Sequence, residues 1–351
     1  MGNLFGFKNS PKDTLNSLFS AEGMESHASV DVCALEEQPF NPTCEECPRF
    51  DVADKSAFVD YLKANGFVVI RGVASADEVE HAKGLLWKYL QENSYMRKDD
   101  PSTWTNKNFK TGGDAQSGIL GGYIGQSKFC WFTRLLPKVK EAFKSIWETD
   151  DLLVSFDGGN IFRPWWTQEL EERITSSGWF HVDQGSGLPG MHCVQGLLTL
   201  TDAHAGTGGI ILIPKSHLLH EDLMEATFRR KQNFVRIPND FHALKGKQLI
   251  PKLSAGDLVL WDSRTIHCNS PAIETPTASL EEMLRMVSYI CMTPRAWASE
   301  EVLKDRVKAF QKGVTTSHWP HRAEYQIPEW PDVNSLSDVS PEQKALIGVR
   351  G

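Results

Sequence analysis

A pair of potential metal ligands, His181 and Asp183, stands two positions apart in the stretch 178–183. In a β-strand this spacing points both side chains to one face, and the aromatic and β-branched neighbours favour a strand here. A second imidazole, His267, follows another predicted strand at residues 256–262. Two imidazoles and one carboxylate form the facial ligand set of non-haem Fe(II) oxygenases, which leaves coordination positions open. The pattern therefore indicates a metal centre that activates O2.

The His-x-Asp pair is weak evidence by itself, because a chain with 11 His and 45 acidic residues forms such pairs by chance. The alternative is a half-buried strand whose His and Asp are hydrogen-bonded locally. The downstream sequence favours the metal site: short apolar strands at 195–202 and 210–213 are separated by a Gly-rich turn at 206–209. Short strands divided by turn signals are typical of an all-β sandwich or barrel.

With these motifs the chain resembles the phytanoyl-CoA dioxygenase family of Fe(II)/2-oxoglutarate oxygenases. The matching segments are residues 65–72, 179–183, 201–217, 256–267 and 285–289. The resemblance covers about residues 54–320, and the order of its motifs is more specific than any one of them. It implies a mainly β fold with flanking helices, built on a double-stranded β-helix (jelly-roll, cupin-like) core with the triad at its mouth.

The resemblance also implies the cofactors. In this family 2-oxoglutarate chelates Fe(II), O2 takes the remaining position, and oxidative decarboxylation yields succinate and CO2. We therefore expect a dioxygenase that hydroxylates or otherwise oxidises a small or lipid-like metabolite, with ascorbate as a candidate reductant. One alternative is a halogenase on the same scaffold, which Asp183 disfavours because halogenases lose this carboxylate. The other is a β-barrel protein that binds metal or ligand without redox turnover.

The anionic cosubstrate needs a cationic partner, and a guanidinium suits a carboxylate as a bidentate donor. The resemblance places this arginine at Arg285, which opens a predicted strand. The spacing from His267 is longer than family members usually show, and residues 274–282 account for the excess as a polar hairpin tip. Arg264 is the rival, but in an uninterrupted strand its odd offset from His267 faces the other way. A surface salt bridge is the alternative role for either arginine.

Six further side chains are candidates for the site, and two of them, Asn160 and Arg163, follow a strand that the resemblance places near the pocket. The candidates are Gln195 and Thr199 for the cosubstrate, and Trp179, Trp261, Asn160 and Arg163 for the substrate pocket. A satisfied polar group in a sheet, or a core tryptophan, is the alternative for each. His192, His204, His217 and His220 lack a paired carboxylate in the right context, so solvated or locally hydrogen-bonded roles are expected for them.

Composition excludes several function classes. The chain has 351 residues, 40% of them hydrophobic and 23% charged, as in soluble globular proteins. Its net charge of −8 creates no field that attracts nucleic acid, and no apolar run reaches membrane-spanning length. Seven scattered cysteines indicate free thiols in a reducing compartment, with Cys44 and Cys47 in a surface loop. We expect a cytoplasmic monomer or weak homo-oligomer that acts on a small molecule.

The predicted domain organisation has three parts: a leader at residues 1–50, the dioxygenase domain at 51–320 and a C-terminal extension at 321–351. A short helix is predicted near residues 14–19 of the leader. Within the domain, a polar, Gly-rich segment at 95–128 has the length of a binding loop or lid, and a permanently packed surface loop is the alternative.

Several boundaries follow from capping signals. A helix at 57–64 is predicted to end at Gly66, and Ser75 with Glu78 forms a capping box for the next helix. One helix is predicted over 129–147 and one strand over 152–162. The predicted terminal helices are at 299–311 and 341–347.

Overall fold

Two β-sheets and the helices that cover them make up the described part of the chain, residues 39–276, 278–322 and 325–349 of a computed structural model. The predicted helix near residues 14–19 lies outside these residues. The helices are α1 (Lys55–Asn65), α2 (Ala76–Asn93), α3 (Lys128–Arg134), α4 (Pro137–Trp147), α5 (His220–Ala226), α6 (Glu300–Gln311) and α7 (Pro341–Ile347).

The strands are short, as the turn signals predicted. They are β1 (Pro42–Glu45), β2 (Arg49–Phe50), β3 (Phe67–Ile70), β4 (Ile119–Leu120), β5 (Leu152–Val154), β6 (Gly159–Phe162), β7 (His181–Val182), β8 (Val194–Thr199), β9 (Gly209–Leu212), β10 (Val235–Arg236), β11 (Gln248–Pro251), β12 (Leu258–Asp262), β13 (His267–Ser270) and β14 (Arg285–Pro294).

The strands form two sheets that face each other. One has the order β1-β11-β9-β13-β7-β10, and the other has the order β2-β3-β12-β8-β14-β6-β4, with β5 also paired to β14. A layer of apolar side chains from β3, β8, β12 and β14 packs against side chains from β9 and β11. The predicted double-stranded β-helix is thus confirmed, and the space between the sheets is where a site can form.

The outer faces of the sheets are covered by helices. On β3, Phe67 and Val69 point between the sheets while Val68 and Ile70 point to the helical side, the alternation expected of a strand buried on both faces. Residues of α1 to α4, α6 and α7 share this outer cluster. Helix α5 covers the outer face of the other sheet. No helix among the described residues is long and apolar enough to cross a membrane.

The helix ends that were predicted from capping residues are confirmed. Gly66 closes α1 with φ 81°, and the Ser75–Glu78 capping box opens α2. Helix α7 starts with Pro341 and ends at Gly348, φ 114°. The two terminal helices occur where they were predicted.

Three predicted elements are wrong in their extent. The helix predicted over 129–147 is two helices, because Pro137 cannot continue α3 and holds the preceding Leu136 in an extended conformation, ψ 125°. The strand predicted over 152–162 is interrupted between β5 and β6. The strand predicted at 178–183 shortens to β7.

The segment before residue 50 contributes to both sheets. Strand β1 pairs in parallel with β11, and β2 pairs with β3. Cys44 therefore lies in an edge strand, and Cys47 is half-buried, so the expected surface loop is wrong here. The six cysteines that the structure describes carry no disulfide.

Candidate active site

The predicted metal ligands meet in one buried cluster. His181 on β7 and His267 at the start of β13 are direct partners across the two strands, with ring centroids 4.2 Å apart. Asp183, just past β7, places Oδ1 3.4 Å from His181 Nε2 and Oδ2 3.2 Å from His267 Nε2. One ligand atom from each residue lies within 4.8 Å of the others, and each residue is at most 7% exposed. The geometry fits a single metal ion whose three protein ligands all lie on one side of it.

The turn between β12 and β13 sets this arrangement. The carbonyl of Gly66 accepts a hydrogen bond from Thr265 Oγ1 at 2.8 Å, and the carbonyl of Ser263 accepts the backbone N–H of Asp183 at 2.9 Å. A side chain on Gly66 would place Cβ 2.5 Å from His217 Nδ1, and its positive φ also requires glycine. The end of α1 therefore fixes the turn that brings Asp183 to the two imidazoles.

Both imidazoles are held in the tautomer that a metal needs. His181 Nδ1 lies 3.2 Å from the carbonyl of Trp179, and His267 Nδ1 lies 2.9 Å from the carbonyl of Thr265. A carbonyl only accepts, so Nδ1 carries the proton and Nε2 is free to coordinate. Burial lowers the pKa of His181, which favours the neutral ring that metal binding requires.

Asp183 supplies the anionic ligand. Burial raises its pKa, but the adjacent imidazoles, that of His181 above all, hold the pKa well below its usual range. Gln195 Nε2 donates to Asp183 Oδ2 at 2.8 Å. Gln195 thus supports a predicted metal ligand, and its predicted contact with the cosubstrate stays a prediction. Two neutral imidazoles and one carboxylate are a donor set that fits Fe(II).

Arg285 lies between the sheets and is 3% exposed. Its Nη1 donates to Asn160 Oδ1 at 2.9 Å and to Asn269 Oδ1 at 3.2 Å, and the guanidinium lies over the Phe162 ring at 4.6 Å. Its Nη2 is buried without a hydrogen-bond partner. Such a donor is costly unless a ligand satisfies it. Because Asn269 follows His267 on β13, one strand holds both a metal ligand and the partner of this cation, an arrangement that fits 2-oxoglutarate.

Arg264 is committed to another partner. Its Nε and Nη2 donate to the two carboxylate oxygens of Asp262 at 3.0 and 2.6 Å. The strand-face argument against Arg264 assumed an uninterrupted strand, and that premise is wrong, because residues 263–266 form a turn between β12 and β13. The pairing with Asp262 now disfavours Arg264 on different grounds, and the choice of Arg285 stays a prediction.

The remaining predicted contacts divide into two groups. Trp179 stacks on His181 at 5.0 Å between centroids, and Trp261 lies 5.4 Å from His267 with its buried Nε1 unpaired. Both therefore border the metal cluster. Thr199 Oγ1 donates to the carbonyl of Thr201 at 2.5 Å. The hydroxyl can therefore only accept a hydrogen bond from a cosubstrate and has no hydrogen left to donate.

The guanidinium of Arg163 is buried and fully engaged by one segment of the chain. It donates to the carbonyls of Trp104 and Ala115 at 3.2 and 2.7 Å and to Asn106 Oδ1 at 2.7 Å. These acceptors all belong to the segment 95–128, so Arg163 anchors this loop, and its predicted place in the substrate pocket stays a prediction. Strand β4 within the loop also pairs with β6. The packed-loop alternative therefore fits the contacts better than the lid.

Sequence reasoning missed two neighbours of the site. Asn269 was detectable, since it stands two residues after His267 on one strand face. Phe234 stacks on His181 with ring centroids 4.4 Å apart, but it comes from a connection before β10 that carries no motif.

Comparison with known proteins finds a matching family model and a similar sequence. The phytanoyl-CoA dioxygenase (PhyH) family model matches residues 62–276, more than half of the chain. Ava biosynthesis cluster protein O of Aspergillus versicolor is 29% identical over 283 residues, which cover 76% of this chain and 87% of that protein.

One solved structure with low sequence identity shares the fold, and a second has a lower structural similarity. GlcNAc Inducible Gene 2 (GIG2) from Candida albicans has a TM-score of 0.56 at 15% identity, covering 86% of this chain and 79% of that one. The epimerase SnoN from nogalamycin biosynthesis, in complex with Fe3+, alpha ketoglutarate and nogalamycin RO, has a TM-score of 0.47 at 16% identity, covering 70% and 85%.

Proposed function

Because the chain belongs to the phytanoyl-CoA dioxygenase family, we propose that it hydroxylates or otherwise oxidises a small or lipid-like metabolite, with release of succinate and CO2. The protein is a 2-oxoglutarate-dependent non-haem iron enzyme. The single observation that carries the proposal is the joint placement of a His-Asp-His cluster and a buried arginine with a free donor nitrogen between the same two sheets.

In this proposal His181, Asp183 and His267 hold Fe(II) through two Nε2 atoms and one carboxylate oxygen. Bound iron and 2-oxoglutarate supply the oxidising power that is drawn from O2. Gln195 keeps the Asp183 carboxylate in place through its 2.8 Å hydrogen bond. This support preserves the ligand geometry, since groups behind a metal ligand fix its orientation.

Arg285 binds the far carboxylate of 2-oxoglutarate. Both Nη1 hydrogens are used by Asn160 and Asn269, so the guanidinium plane is fixed before the cosubstrate arrives. The unpaired Nη2 then donates to the carboxylate. A preorganised guanidinium loses little conformational entropy on binding, and the low dielectric between the sheets strengthens the ion pair.

The presence of Asp183 in the cluster disfavours a halogenase. Its carboxylate is already hydrogen-bonded by Gln195 and lies within 3.4 Å of both imidazole Nε2 atoms. A halide would need the place that this carboxylate fills.

The test uses the purified protein with Fe(II), 2-oxoglutarate, air and a metabolite extract. We expect succinate release coupled to a product heavier by one oxygen atom. Asp183→Ala should lose both bound iron and succinate formation, while Asp150→Ala, at an exposed position, should retain them. Unchanged iron content and turnover in the Asp183 variant would contradict the assignment. Binding of metal without any succinate release would favour a non-redox binding protein.

A further inference from the structure

Two buried thiols, Cys193 and Cys291, lie in contact on the sheet that carries Gln195. Their Sγ atoms are 3.3 Å apart, and the two residues are 0% and 1% exposed. We propose that they are a modification site, a dithiol that becomes a disulfide when the enzyme turns over without substrate and so acts as an internal reductant. This inference rests on the proposed oxygenase function.

The two thiols come from neighbouring strands. Cys291 lies within β14, and Cys193 is the residue before β8. Cys193 Sγ also donates to the carbonyl of His318 at 3.4 Å, and Cys291 Sγ donates to the carbonyl of Val194 at 3.1 Å. A disulfide bond is about 2.05 Å long, so the sulfur atoms have to approach by about 1.2 Å to form it. Because Cys193 precedes the first residue of β8, this approach leaves the pairing of β8 with β14 intact.

Short chains of contacts link the pair to the metal ligand Asp183. Cys291 is the direct partner of Gln195 across the two strands, and opposing residues of antiparallel strands share a face, with Cβ atoms about 4.5–5.5 Å apart. Gln195 in turn donates to Asp183 Oδ2 at 2.8 Å. Along the backbone, the Cys193 carbonyl accepts the N–H of Ser263 at 3.0 Å, and the Ser263 carbonyl accepts the N–H of Asp183 at 2.9 Å. By either route, one residue separates the dithiol from a metal ligand.

The pair is screened from solvent. Trp319, which is 1% exposed, and the half-buried Leu188 pack with the two cysteines in a small apolar cluster. Burial, and then the neighbouring Cys291 thiol, raise the pKa of Cys193, so this thiol stays protonated at neutral pH. Dissolved oxidants react with the thiolate, so they attack this pair slowly. Oxidising equivalents produced at the metal cluster reach it from inside the protein instead.

The proposed reaction balances without an external reductant. O2 accepts four electrons; the conversion of 2-oxoglutarate to succinate and CO2 supplies two of them, and substrate normally supplies the other two. Without substrate, the dithiol supplies them: two S–H bonds break, one S–S bond forms, and the two hydrogens leave with one oxygen atom as water. The other oxygen atom enters succinate. In sum, 2-oxoglutarate, O2 and two thiols give succinate, CO2, water and one disulfide.

The test incubates the reduced protein with Fe(II), 2-oxoglutarate and air, without substrate or ascorbate. After acid quenching and alkylation of free thiols in denaturant, mass spectrometry should find the peptides of Cys193 and Cys291 joined by a disulfide. The protein should be lighter by two hydrogen atoms, and the amount of disulfide should match the succinate released in the first turnover. Without O2 or without 2-oxoglutarate the pair should stay reduced. A disulfide that formed equally without 2-oxoglutarate would overturn the proposal.

A serine variant shows where the oxidising equivalents go when the dithiol is lost. Cys291→Ser keeps a donor for the Val194 carbonyl and should form no disulfide. Oxygen should then be added instead to Trp179 and Trp261, the aromatic residues that border the metal cluster, several-fold more than in the wild type. Equal oxygenation of these tryptophans in the variant and the wild type would refute the reductant role.

Cys130→Ser is the matched control. Cys130 is also buried, and its Sγ also donates to a backbone carbonyl, that of Gly158 at 3.7 Å. This variant should form the disulfide between Cys193 and Cys291 to the same extent as the wild type. Loss of that disulfide in Cys130→Ser would mean that any disturbance of the buried thiols abolishes it, which would contradict a specific pair. The wild-type comparison needs no variant, so a folding defect in Cys291→Ser leaves the proposal open to refutation.

The two levels of inference fail separately. If the wild type released no succinate even with metabolite extract, the proposed function would fail. If succinate were released while Cys193 and Cys291 stayed reduced in the absence of substrate, only the inference about the dithiol would fail.

Discussion

Replacement of Arg285 by glutamine tests the cosubstrate site. The side chain is 3% exposed, and its Nη2 is the unpaired donor that the far carboxylate of 2-oxoglutarate would meet. Burial lowers the pKa of Arg285, with Tyr289 opposing the shift, but a guanidinium remains charged in proteins. Removing one member of a buried charge pair costs about 2–5 kcal/mol, so Arg285→Gln should raise the KM for 2-oxoglutarate about thirtyfold or more.

The variant also affects stability, because it leaves the Asn160 and Asn269 oxygens without their donor. Each unsatisfied buried acceptor costs about 1–3 kcal/mol, so Tm should fall as well. The assay is therefore succinate release as a function of 2-oxoglutarate concentration, well below the Tm of the variant. Saturating cosubstrate should recover much of kcat if the variant has lost only affinity for 2-oxoglutarate. A folding defect alone would instead reduce the amount of active enzyme without changing the KM.

Arg264→Gln is the matched control. Arg264 pairs with Asp262, so its replacement should leave the KM for 2-oxoglutarate within about twofold of the wild type, as expected for a partly exposed ion pair. If Arg264→Gln raised the KM and Arg285→Gln did not, the assignment of the cosubstrate cation would be refuted.

Three further predictions concern the metal support, the pH dependence of stability and the loop. Gln195→Ala should weaken Fe(II) binding about 10–100-fold, measured in competition with a chelator, because the Asp183 carboxylate loses its hydrogen-bond donor. The control Thr199→Val should keep the Fe(II) affinity of the wild type. Equal Fe(II) affinities for the two variants would contradict the role of Gln195. Burial lowers the pKa of His321 to about 4, whereas the unfolded value is 6.5. The unfolded state therefore binds more protons between these values, and stability falls as pH decreases through that window. Between pH 7 and pH 5, the Tm of His321→Gln should fall less than the Tm of the wild type. An equal fall in Tm would argue against a lowered pKa of His321. Amides of β4 should be protected from hydrogen exchange without any ligand, and Arg163→Gln should speed exchange in residues 104–117 only; protection that appears solely with bound ligands would restore the lid hypothesis.

The sequence by itself determined what depends on local chemistry. Strand periodicity put His181 and Asp183 on one face, and capping residues set the ends of α1 and the start of α2. Composition and turn spacing indicated the all-β core, and the resemblance added its topology. These features follow from neighbours within a few residues, so no tertiary contact is needed to recognise them.

The tertiary structure decided which of the candidate polar groups meet. Gln195 contacts Asp183 and Arg163 turns to the loop because the pairing of β8 and β6 with β14 sets their surroundings, and no local pattern encodes that pairing. The turn that breaks the strand before His267 is held by Gly66, almost two hundred residues earlier. Phe156 and Thr316 stand 160 positions apart and meet only because the segment after α6 folds back onto the connection between β5 and β6. Long-range hydrogen bonds and burial, which the order of residues does not display, make these groups a site.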